Sequence, residues 1–446
     1  MNKKPNIIYI LADDLGYGDL SCYGQTKFTT PNIDALAEEG MLFMQHYSGS
    51  TVCAPSRSTL LTGLHTGHTP IRGNKEVRPE GQWPLPDSTY TIAELLKNQG
   101  YATGAFGKWG LGYPGSEGDP LKQGFDTFYG YNCQRLGHHY YPYYLWNNDK
   151  KVMLDGNSGT KTEQYAPDLI HQEALNFIEK NKEKSFFLYY PSIIPHAELV
   201  APKNYMDKYI GKYNPEKEFK GTDGGKGYKD GKYGSQKNAH AAFAAMINVL
   251  DDQVGEIVRK VRDLGLEENT IFIFTSDNGP HQEAGADPDY FNSNGILKGY
   301  KRDLFEGGIR VPMIAKWKGK IKEGRSTNHV SAFWDVMPTF ADILNVNITS
   351  KTDGISFLPT LVETNNQQHH DYLYWEFHER GGRQAIRKDN WKLVKYNVKN
   401  TPKYYLFNLD TDPSETQNLS ETYPKILEDL TAILENSRSE SEIFKF

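Results

Sequence analysis

Short apolar runs alternate along the chain with longer stretches in which apolar residues recur every three or four positions. This alternation predicts an α/β fold, with a large mixed, mostly parallel sheet covered by helices on both faces. The predicted strands are Ile7–Ala12, Tyr101–Phe106, Phe186–Tyr190, Thr270–Phe274 and Val311–Trp317.

Two helices between these strands have clear boundaries. The longer one runs from about Asn238 to Leu264, where apolar residues keep a spacing of three and four. The shorter one begins at Thr91, which forms a capping-box pattern with Glu94, and it stops at Gly100. By contrast, residues 212–234 are rich in Gly, Lys, Tyr and Asp and show no periodicity, so we predict a long loop that is mobile or functional.

The pattern changes near residue 366, where the apolar runs become short and closely spaced. They predict four antiparallel strands and a terminal helix, at Tyr372–Phe377, Gln384–Arg387, Trp391–Val394, Tyr404–Asn408 and Tyr423–Leu434. We therefore predict a main domain over residues 1–365 and a small C-terminal α+β subdomain with an antiparallel sheet over residues 366–446.

Polar side chains follow four of the predicted strands of the main domain. They are Asp13 and Asp14, Lys108, His196, and Asp277 with Asn278. Ligands of open α/β sheets bind at the carboxyl ends of the strands. We therefore expect these side chains to meet at one edge of the sheet.

The two pairs Asp13–Asp14 and Asp277–Asn278 offer oxygen ligands and neither thiolate nor imidazole. Such hard ligands select Ca²⁺ or Mg²⁺ over zinc. Either pair alone is equally compatible with capping of a turn after a strand. Both pairs together, at the ends of two strands, favour a metal site.

Residues 53–63, Cys-Ala-Pro-Ser-Arg-Ser-Thr-Leu-Leu-Thr-Gly, predict a short helix that begins near Cys53 and ends at Gly63. A helix N-terminus presents N–H groups and a partial positive charge to an anion. Arg57, one turn later, projects from the same face with a guanidinium suited to a tetrahedral oxyanion. A nucleophile beside such a cradle suits phosphoryl or sulfuryl transfer, whereas a buried structural thiol is the alternative.

Composition excludes several classes of function. The 446 residues include 50 Lys and Arg and 56 Asp and Glu, for a net charge of −6, so we expect no nucleic-acid partner. No apolar stretch approaches the roughly 18 to 20 residues of a membrane span. The three cysteines are an odd number, which argues against a disulfide scaffold.

The first residues do not have the pattern of a signal peptide. The apolar run after the basic start is only Ile7–Ala12, and it meets two aspartates. We therefore expect a cytoplasmic protein, or a periplasmic or secreted one if a signal peptide was removed from this sequence.

The motif C-x-P-S-R followed by L-L-T-G resembles the signature of the sulfatase family. Further blocks resemble sulfatase blocks in the same order, at Ile7–Tyr17, Gly107–Gly112, Thr275–Pro280 and Glu306–Pro312. The resemblance covers essentially the whole chain and implies that residues 1–365 are a catalytic domain. It also implies that a formylglycine-generating maturation enzyme oxidises Cys53 to formylglycine.

The resemblance further implies the roles of most of the residues at the strand ends. Asp13, Asp14, Asp277 and Asn278 would hold one Ca²⁺. The formylglycine formed from Cys53 would attack sulfur, and Arg57, Lys108 and Lys301 would bind the sulfate oxygens. His196 matches the family histidine near the leaving-group oxygen and is the candidate general acid. Lys298 and Arg302 are alternatives to Lys301.

One position departs from the family pattern. Many sulfatases have histidine where this chain has Gly110, and His138 or His139 is a candidate replacement. The surrounding segment, residues 130–142, resembles one in bacterial sulfatases that act on sulfated galactans. We assign substrate binding to its polar residues and to a histidine after Asn278, namely Arg135, His138, His139 and His281, with Gln134 as a further donor. Tyr140, Tyr143 and Trp146 are candidate stacking residues.

The sequence thus predicts a calcium-dependent carbohydrate sulfatase that hydrolyses a sulfate monoester on a glycan, of galactose type, through a formylglycine nucleophile. Its partner would be a sulfated oligosaccharide substrate. Two alternatives remain: a phosphonate or phosphate ester hydrolase of the same superfamily, and a non-catalytic glycan-binding homologue. The retained cysteine motif and metal pairs argue against the second alternative.

Overall fold

A ten-stranded mixed sheet forms the centre of the computed structural model, which describes residues 4–446. The strands are β1 Asn6–Ala12, β2 Met41–Tyr47, β3 Ala102–Lys108, β4 Thr127–Tyr131, β5 Tyr144–Asn147, β6 Lys150–Met153, β7 Phe186–Pro191, β8 Thr270–Ser276, β9 Arg310–Trp317 and β10 Arg325–Ala332. Their order across the sheet is β10-β2-β9-β8-β1-β7-β3-β4-β5-β6. Five of the nine pairings are parallel, so the predicted mixed, mostly parallel sheet is confirmed.

The five strands that the apolar runs predict lie in the central part of this sheet. The strands that the sequence pattern missed are β2, β4, β5, β6 and β10, which lie towards its two margins. Strand β10 has mostly polar, partly exposed residues, and β5 and β6 have four residues each. Such strands lack the continuous apolar run of a strand that is buried on both faces.

Helices cover both faces of the sheet, as predicted. The helices are α1 Pro31–Glu38, α2 Cys53–Thr62, α3 Ile92–Asn98, α4 Ala166–Lys180, α5 Lys203–Met206, α6 Ala239–Asp263, α7 Pro288–Phe291, α8 Glu306–Ile309, α9 Val336–Ile343, α10 Leu358–Leu361 and α11 Pro424–Asn436. Alternate residues of β1 point to opposite cores: Ile8 and Ile10 pack with α1, α4 and α6, and Ile7 and Tyr9 pack with α2, α3 and α9. All seven residues of β1 are buried, so this strand is the centre of both cores.

The predicted helix boundaries are confirmed at α3 and α6. The Thr91 hydroxyl accepts a hydrogen bond from Glu94 N (3.2 Å), and Thr91 N donates to Glu94 Oε2 (2.8 Å), which completes the capping box. The predicted long loop is also present: between Met206 and Ala239 the described chain has no helix and no strand beyond one isolated bridge. Among the residues described, none of the helices combines the length and the apolar character that crossing a membrane requires.

A separate four-stranded antiparallel sheet lies in the C-terminal part of the chain. Its strands are β11 Leu373–Phe377, β12 Arg383–Lys388, β13 Trp391–Tyr396 and β14 Lys403–Asn408, in sequential order. One face packs against α11. The other face carries Trp375, which packs with Tyr47 and Trp334 of the main domain. The domain boundary near residue 366 stays a prediction.

A buried ion-pair network also joins the two sheets. Lys392 Nζ on β13 lies 2.8 Å from Glu306 Oε1 and 2.9 Å from Glu415 Oε1, and all three side chains are fully buried. The Tyr47 hydroxyl donates to Glu306 Oε2 (2.6 Å). Because buried carboxylates need a compensating charge, one lysine holds α8 and the segment at Glu415 against β13.

Replacing Lys392 by Met should lower the free energy of unfolding by about 3–5 kcal/mol, because it removes the cation shared by two buried carboxylates and leaves Glu306 with Arg310 alone. Denaturant titration monitored by tryptophan fluorescence measures this change. The control is Lys425→Met. The Lys425 side chain is 74% exposed and its ion pairs are on the surface, so this change should leave the denaturation midpoint unchanged. Equal midpoints for the two variants would refute the role of the network.

Candidate active site

The carboxyl ends of three strands bring acidic and basic groups to one edge of the large sheet. Strands β1 and β8 pair in parallel with Ala12 beside Ser276, and Asp277 N donates to Ala12 O (3.0 Å). The residues that follow these strands, Asp13 and Asp277, therefore lie side by side. Lys108 is the last residue of β3, two strands away.

Helix α2 brings Cys53 to this edge, because Cys53 is its first residue. The helix ends where predicted, with Gly63 in the left-handed region at φ 68°. Cys53 Sγ lies 3.3 Å from Asp13 Oδ1, 3.9 Å from Asp14 Oδ1 and 3.5 Å from Lys108 Nζ. The cysteine thus stands among the acidic residues at the end of β1.

Arg57 forms ion pairs with residues at the ends of both β1 and β8. Its Nε and Nη2 lie 3.1 and 2.9 Å from Asp277 Oδ2, and Nη2 is 3.3 Å from Asp13 Oδ2. Nη1 donates to the Lys108 carbonyl. With no exposure to solvent, the guanidinium neutralises two carboxylates and fixes their separation.

Two lysines complete the charge pattern. Lys108 Nζ lies 2.6 Å from Asp13 Oδ2, and Lys301 Nζ lies 2.8 Å from Asp14 Oδ2. Of the alternatives to Lys301, Lys298 donates to Glu415 O (2.9 Å) and lies over the Phe305 ring, which places it outside this cluster. Together with Arg57, the lysines match three buried carboxylates with three cations.

These surroundings set the protonation of Cys53 and Asp13. Burial, reinforced by the Asp13 carboxylate, raises the pKa of the Cys53 thiol well above its ordinary value. Burial alone would also raise the pKa of Asp13, but the charges of Lys108 and Arg57 outweigh it and hold that pKa well below its usual range. An unmodified Cys53 is therefore a protonated thiol, which is a poor nucleophile.

Three histidine rings stack in a row beside the cluster. The ring of His196 lies between His138 and His281, with centroids 5.0 and 5.9 Å away. His196 Nδ1 donates to Ala197 O (2.5 Å), so Nε2 faces Asp14 Oδ2 at 3.6 Å. Burial, followed by the charges of Lys301 and Lys108, lowers the pKa of His196.

The acidic groups fit a hard metal cation. The donors are the carboxylates of Asp13, Asp14 and Asp277 and the amide oxygen of Asn278, which is buried and has no hydrogen-bond partner among the described residues. Asn278 Nδ2 donates to Asp14 Oδ1 (2.7 Å), which holds this amide at the cluster, and its unpaired acceptor suits a bound cation. The three protein cations only balance the carboxylates, so a divalent ion would make the site positive enough to attract an anion. Oxygen donors favour Ca²⁺ or Mg²⁺.

A pocket of about 320 Å³ opens over Cys53, His196 and Lys301. Of the four predicted substrate-binding residues, Arg135 and His138 line it. His139 does not: its ring is buried, with Nδ1 3.4 Å from Glu198 Oε1. His281 lies behind His196 and donates from Nε2 to Pro195 O (3.1 Å).

The predicted stacking surface differs from the structure at Tyr140. This ring is fully buried, and its hydroxyl donates to Ile193 O (2.7 Å) and His196 O (2.8 Å). It therefore supports the loop that carries His196 and offers no face to a sugar.

Several lining residues carry no signal in the sequence pattern. They are Asn74, Glu76, Gln82, Tyr233, Glu283 and Glu379. Tyr233 comes from the long loop; its ring lies 5.1 Å from that of His138, and its hydroxyl donates to Glu283 Oε2 (3.3 Å). Glu283 also pairs with Arg302 Nη2 (2.6 Å). The predicted long loop is thus a wall of the pocket.

Comparison with known proteins agrees with this arrangement. The family model described as Sulfatase matches residues 5–346, and the model described as N-sulphoglucosamine sulphohydrolase, C-terminal, matches residues 299–440. The N-acetylgalactosamine-6-sulfatase of Rattus norvegicus is 33% identical over 385 residues, which cover 81% of this chain and 66% of the rat protein. The chain thus spans just under two thirds of the length of that relative.

Two bacterial comparisons extend over nearly the whole chain. The N-acetylgalactosamine-6-O-sulfatase of Bacteroides thetaiotaomicron is 29% identical and covers 98% of this chain and 94% of its own length. The crystal structure of Ps i-CgsB in complex with k-i-k-neocarrahexaose is 30% identical with a TM-score of 0.81, covering 99% of this chain and 94% of that one.

Proposed function

The chain belongs to the sulfatase family, and we propose that it is a calcium-dependent carbohydrate sulfatase that hydrolyses a sulfate monoester on a glycan. The observation that carries the proposal is the position of Cys53. It begins α2 at the floor of the pocket, among three carboxylates and three cations. A helix N-terminus with surrounding cations suits the binding and transfer of a tetrahedral anion.

The side chains around Cys53 divide the work of such a reaction. Lys108 and Lys301 would bind the sulfate oxygens, and Arg57, buried against Asp13 and Asp277, would add its positive charge to offset theirs in the transition state. His196 would act from Nε2, because Nδ1 donates to Ala197 O. Since Nδ1 already carries a proton, His196 can give one to the oxygen of the departing sugar only as the doubly protonated ring. Asp13, Asp14, Asp277 and Asn278 would hold the calcium ion.

Two groups would supply the remaining chemistry. Formylglycine, formed from Cys53 by a maturation enzyme, supplies a hydrated aldehyde whose hydroxyl can attack sulfur. Calcium lowers the pKa of a hydroxyl bound to it. The raised pKa of the Cys53 thiol supports the need for this conversion.

We propose a galactose-type sugar as the substrate. Support comes from the names of the two N-acetylgalactosamine sulfatases and from the neocarrahexaose bound to Ps i-CgsB. The pocket supports a sugar through its polar lining, in which Arg135 and Glu283 meet the side chains around Cys53. Such groups can pair with ring hydroxyls.

Protein produced together with a formylglycine-generating enzyme should hydrolyse sulfate esters, whereas protein that retains the thiol should be inactive. Peptide mass spectrometry should show loss of sulfur and gain of an aldehyde oxygen at residue 53. The control is Cys53→Ala, which cannot be converted. Full activity in a sample that carries only cysteine at this position would sink the proposed nucleophile.

Calcium should bind at the acidic cluster and raise the unfolding temperature above that of chelator-treated protein. Asn278→Ala should weaken calcium binding at least about tenfold, measured by isothermal titration calorimetry, because it removes one oxygen ligand. Asn294→Ala is the matched control, because Asn294 Oδ1 is also buried without a partner in the described chain, but the residue lines a different pocket. Equal calcium affinities in both variants would contradict the assigned ligands.

A panel of defined esters tests the substrate and the alternative phosphatase function. The kcat/KM for a sulfated galactose or N-acetylgalactosamine should exceed that for 4-nitrophenyl sulfate at least about tenfold, because the sugar alone pairs with the polar lining. Phosphate esters of the same sugars should be slower, and comparing 2-, 3-, 4- and 6-sulfated sugars identifies the hydroxyl. A preference for phosphate or phosphonate esters would overturn the proposal in favour of the alternative hydrolase.

A further inference from the structure

The side-chain Nε2 of Gln134 lies in the pocket wall and has no hydrogen-bond partner among the described residues. The residue is only 6% exposed and lines the same pocket as Cys53. Its backbone N donates to Gln82 Oε1 (2.8 Å), which fixes the main chain, but the side-chain Nε2 is buried and unpaired among the residues described. A buried amide donor without a partner is unfavourable, so the carboxamide would gain by turning Nε2 from Gly110 towards an acceptor on a ligand in the pocket.

The missing side chain at Gly110 makes room for this carboxamide. A Cβ at Gly110 would lie 3.0 Å from both Cγ and Nε2 of Gln134, and the three nearest atoms all belong to the Gln134 side chain. Gly110 also has φ +80°, a conformation that residues with a side chain rarely adopt. The Gln134 side chain can therefore occupy this position only because residue 110 is a glycine.

The other polar residues of the same segment already have partners. Arg135 Nε lies 2.6 Å from Glu76 Oε1, and its Nη1 pairs with Asp230. His138 Nδ1 donates to Gly231 O (2.9 Å). These bonds tie the segment to the neighbouring loops, whereas Gln134 Nε2 has no partner in the part of the chain that the structure describes.

We infer that Gln134 determines specificity by hydrogen bonding to a hydroxyl of the sugar that carries the sulfate, with Gly110 leaving space for it. This inference rests on the proposed sulfatase function. The sulfate oxygens already have Arg57, Lys108 and Lys301, so a neutral carboxamide adds little there. A carboxamide offers both donors and an acceptor, which matches a hydroxyl group, itself a donor and an acceptor. A site built this way rejects analogues that lack the hydroxyl.

The first test compares Gln134→Ala with the wild type in mature enzyme. We expect kcat/KM for the sulfated galactose-type sugar to fall about tenfold, since one neutral hydrogen bond is lost. The kcat/KM for 4-nitrophenyl sulfate and the inhibition constant of inorganic sulfate should stay within about twofold, because neither ligand has the hydroxyl. Equal losses on both substrates would instead place Gln134 at the sulfate or the nucleophile and overturn the inference.

The second test displaces the carboxamide from the side of Gly110. Gly110→Ala should reproduce the selective loss on the sugar, and the double variant with Gln134→Ala should be no worse than Gly110→Ala alone. Gly115→Ala is the matched control: Gly115 has φ +82°, but apart from its two chain neighbours no described residue has an atom within 4 Å of a Cβ built there. It carries the same backbone strain without touching Gln134, so sugar turnover should be unchanged.

The outcomes separate this inference from the function on which it rests. If mature wild-type enzyme hydrolyses no sulfate ester, the proposed function fails and the role of Gln134 fails with it. If it hydrolyses sulfated sugars but Gln134→Ala turns them over as fast as the wild type, only the role of Gln134 is refuted. Additive losses from Gly110→Ala and Gln134→Ala would likewise refute their coupling.

Discussion

The buried carboxylates of Asp13, Asp14 and Asp277 are the constraint on which the rest of the site depends. None of them is exposed to solvent, so each needs a cation or a hydrogen-bond donor within reach. Arg57, Lys108 and Lys301 supply those cations from α2, from the end of β3 and from the segment before α8. Elements far apart in sequence are thereby held at one sheet edge, and the cost of burying their charges is offset only while all of them are in place.

The sheet can hold this cluster because its strands approach one another closely at their carboxyl ends. Gly107, directly before Lys108, has φ +141°, and a Cβ there would lie 1.9 Å from Pro191 O at the end of β7. Only glycine permits this approach. Gly107 therefore has a structural role beside that of Lys108, because it lets the end of β3, which carries the lysine, lie close to β7.

The residues that would select the sugar come from a different kind of structure than the residues of the charge cluster. Of the cations that would balance the sulfate charge, Lys108 lies at a strand end and Arg57 on α2, where regular hydrogen bonding fixes the backbone, and Lys301 lies in the turn before α8. The pocket wall comes instead from residues 130–142 and from the long loop, joined by Arg135 with Glu76 and Asp230, and by Tyr233 with Glu283. Because the anion is bound by a rigid cluster and the sugar by loops, the sugar preference can change without altering the anion site.

The sequence by itself determined the elements with strong local patterns and the residues at their ends. Apolar periodicity and capping residues predict the central strands, α3, α6 and the start of α2. The topology of a parallel sheet then brings Asp13, Asp277 and Lys108 together. The marginal strands were missed because short or partly polar strands, such as β10, carry little apolar signal. Their existence depends on pairing with neighbours rather than on their own residues.

Only the tertiary structure decided which neighbouring side chains face the pocket. His138 lines it and His139 does not, and Lys301 enters the cluster while Lys298 bonds to Glu415 O. The participation of Tyr233 and Glu283 was equally invisible in the sequence, and for Gln134, which the sequence named as a donor, only the structure showed the contact with Gly110. In loops, the direction of a side chain is set by contacts with distant residues, whereas at the end of a buried strand it is set by the alternation of the strand itself.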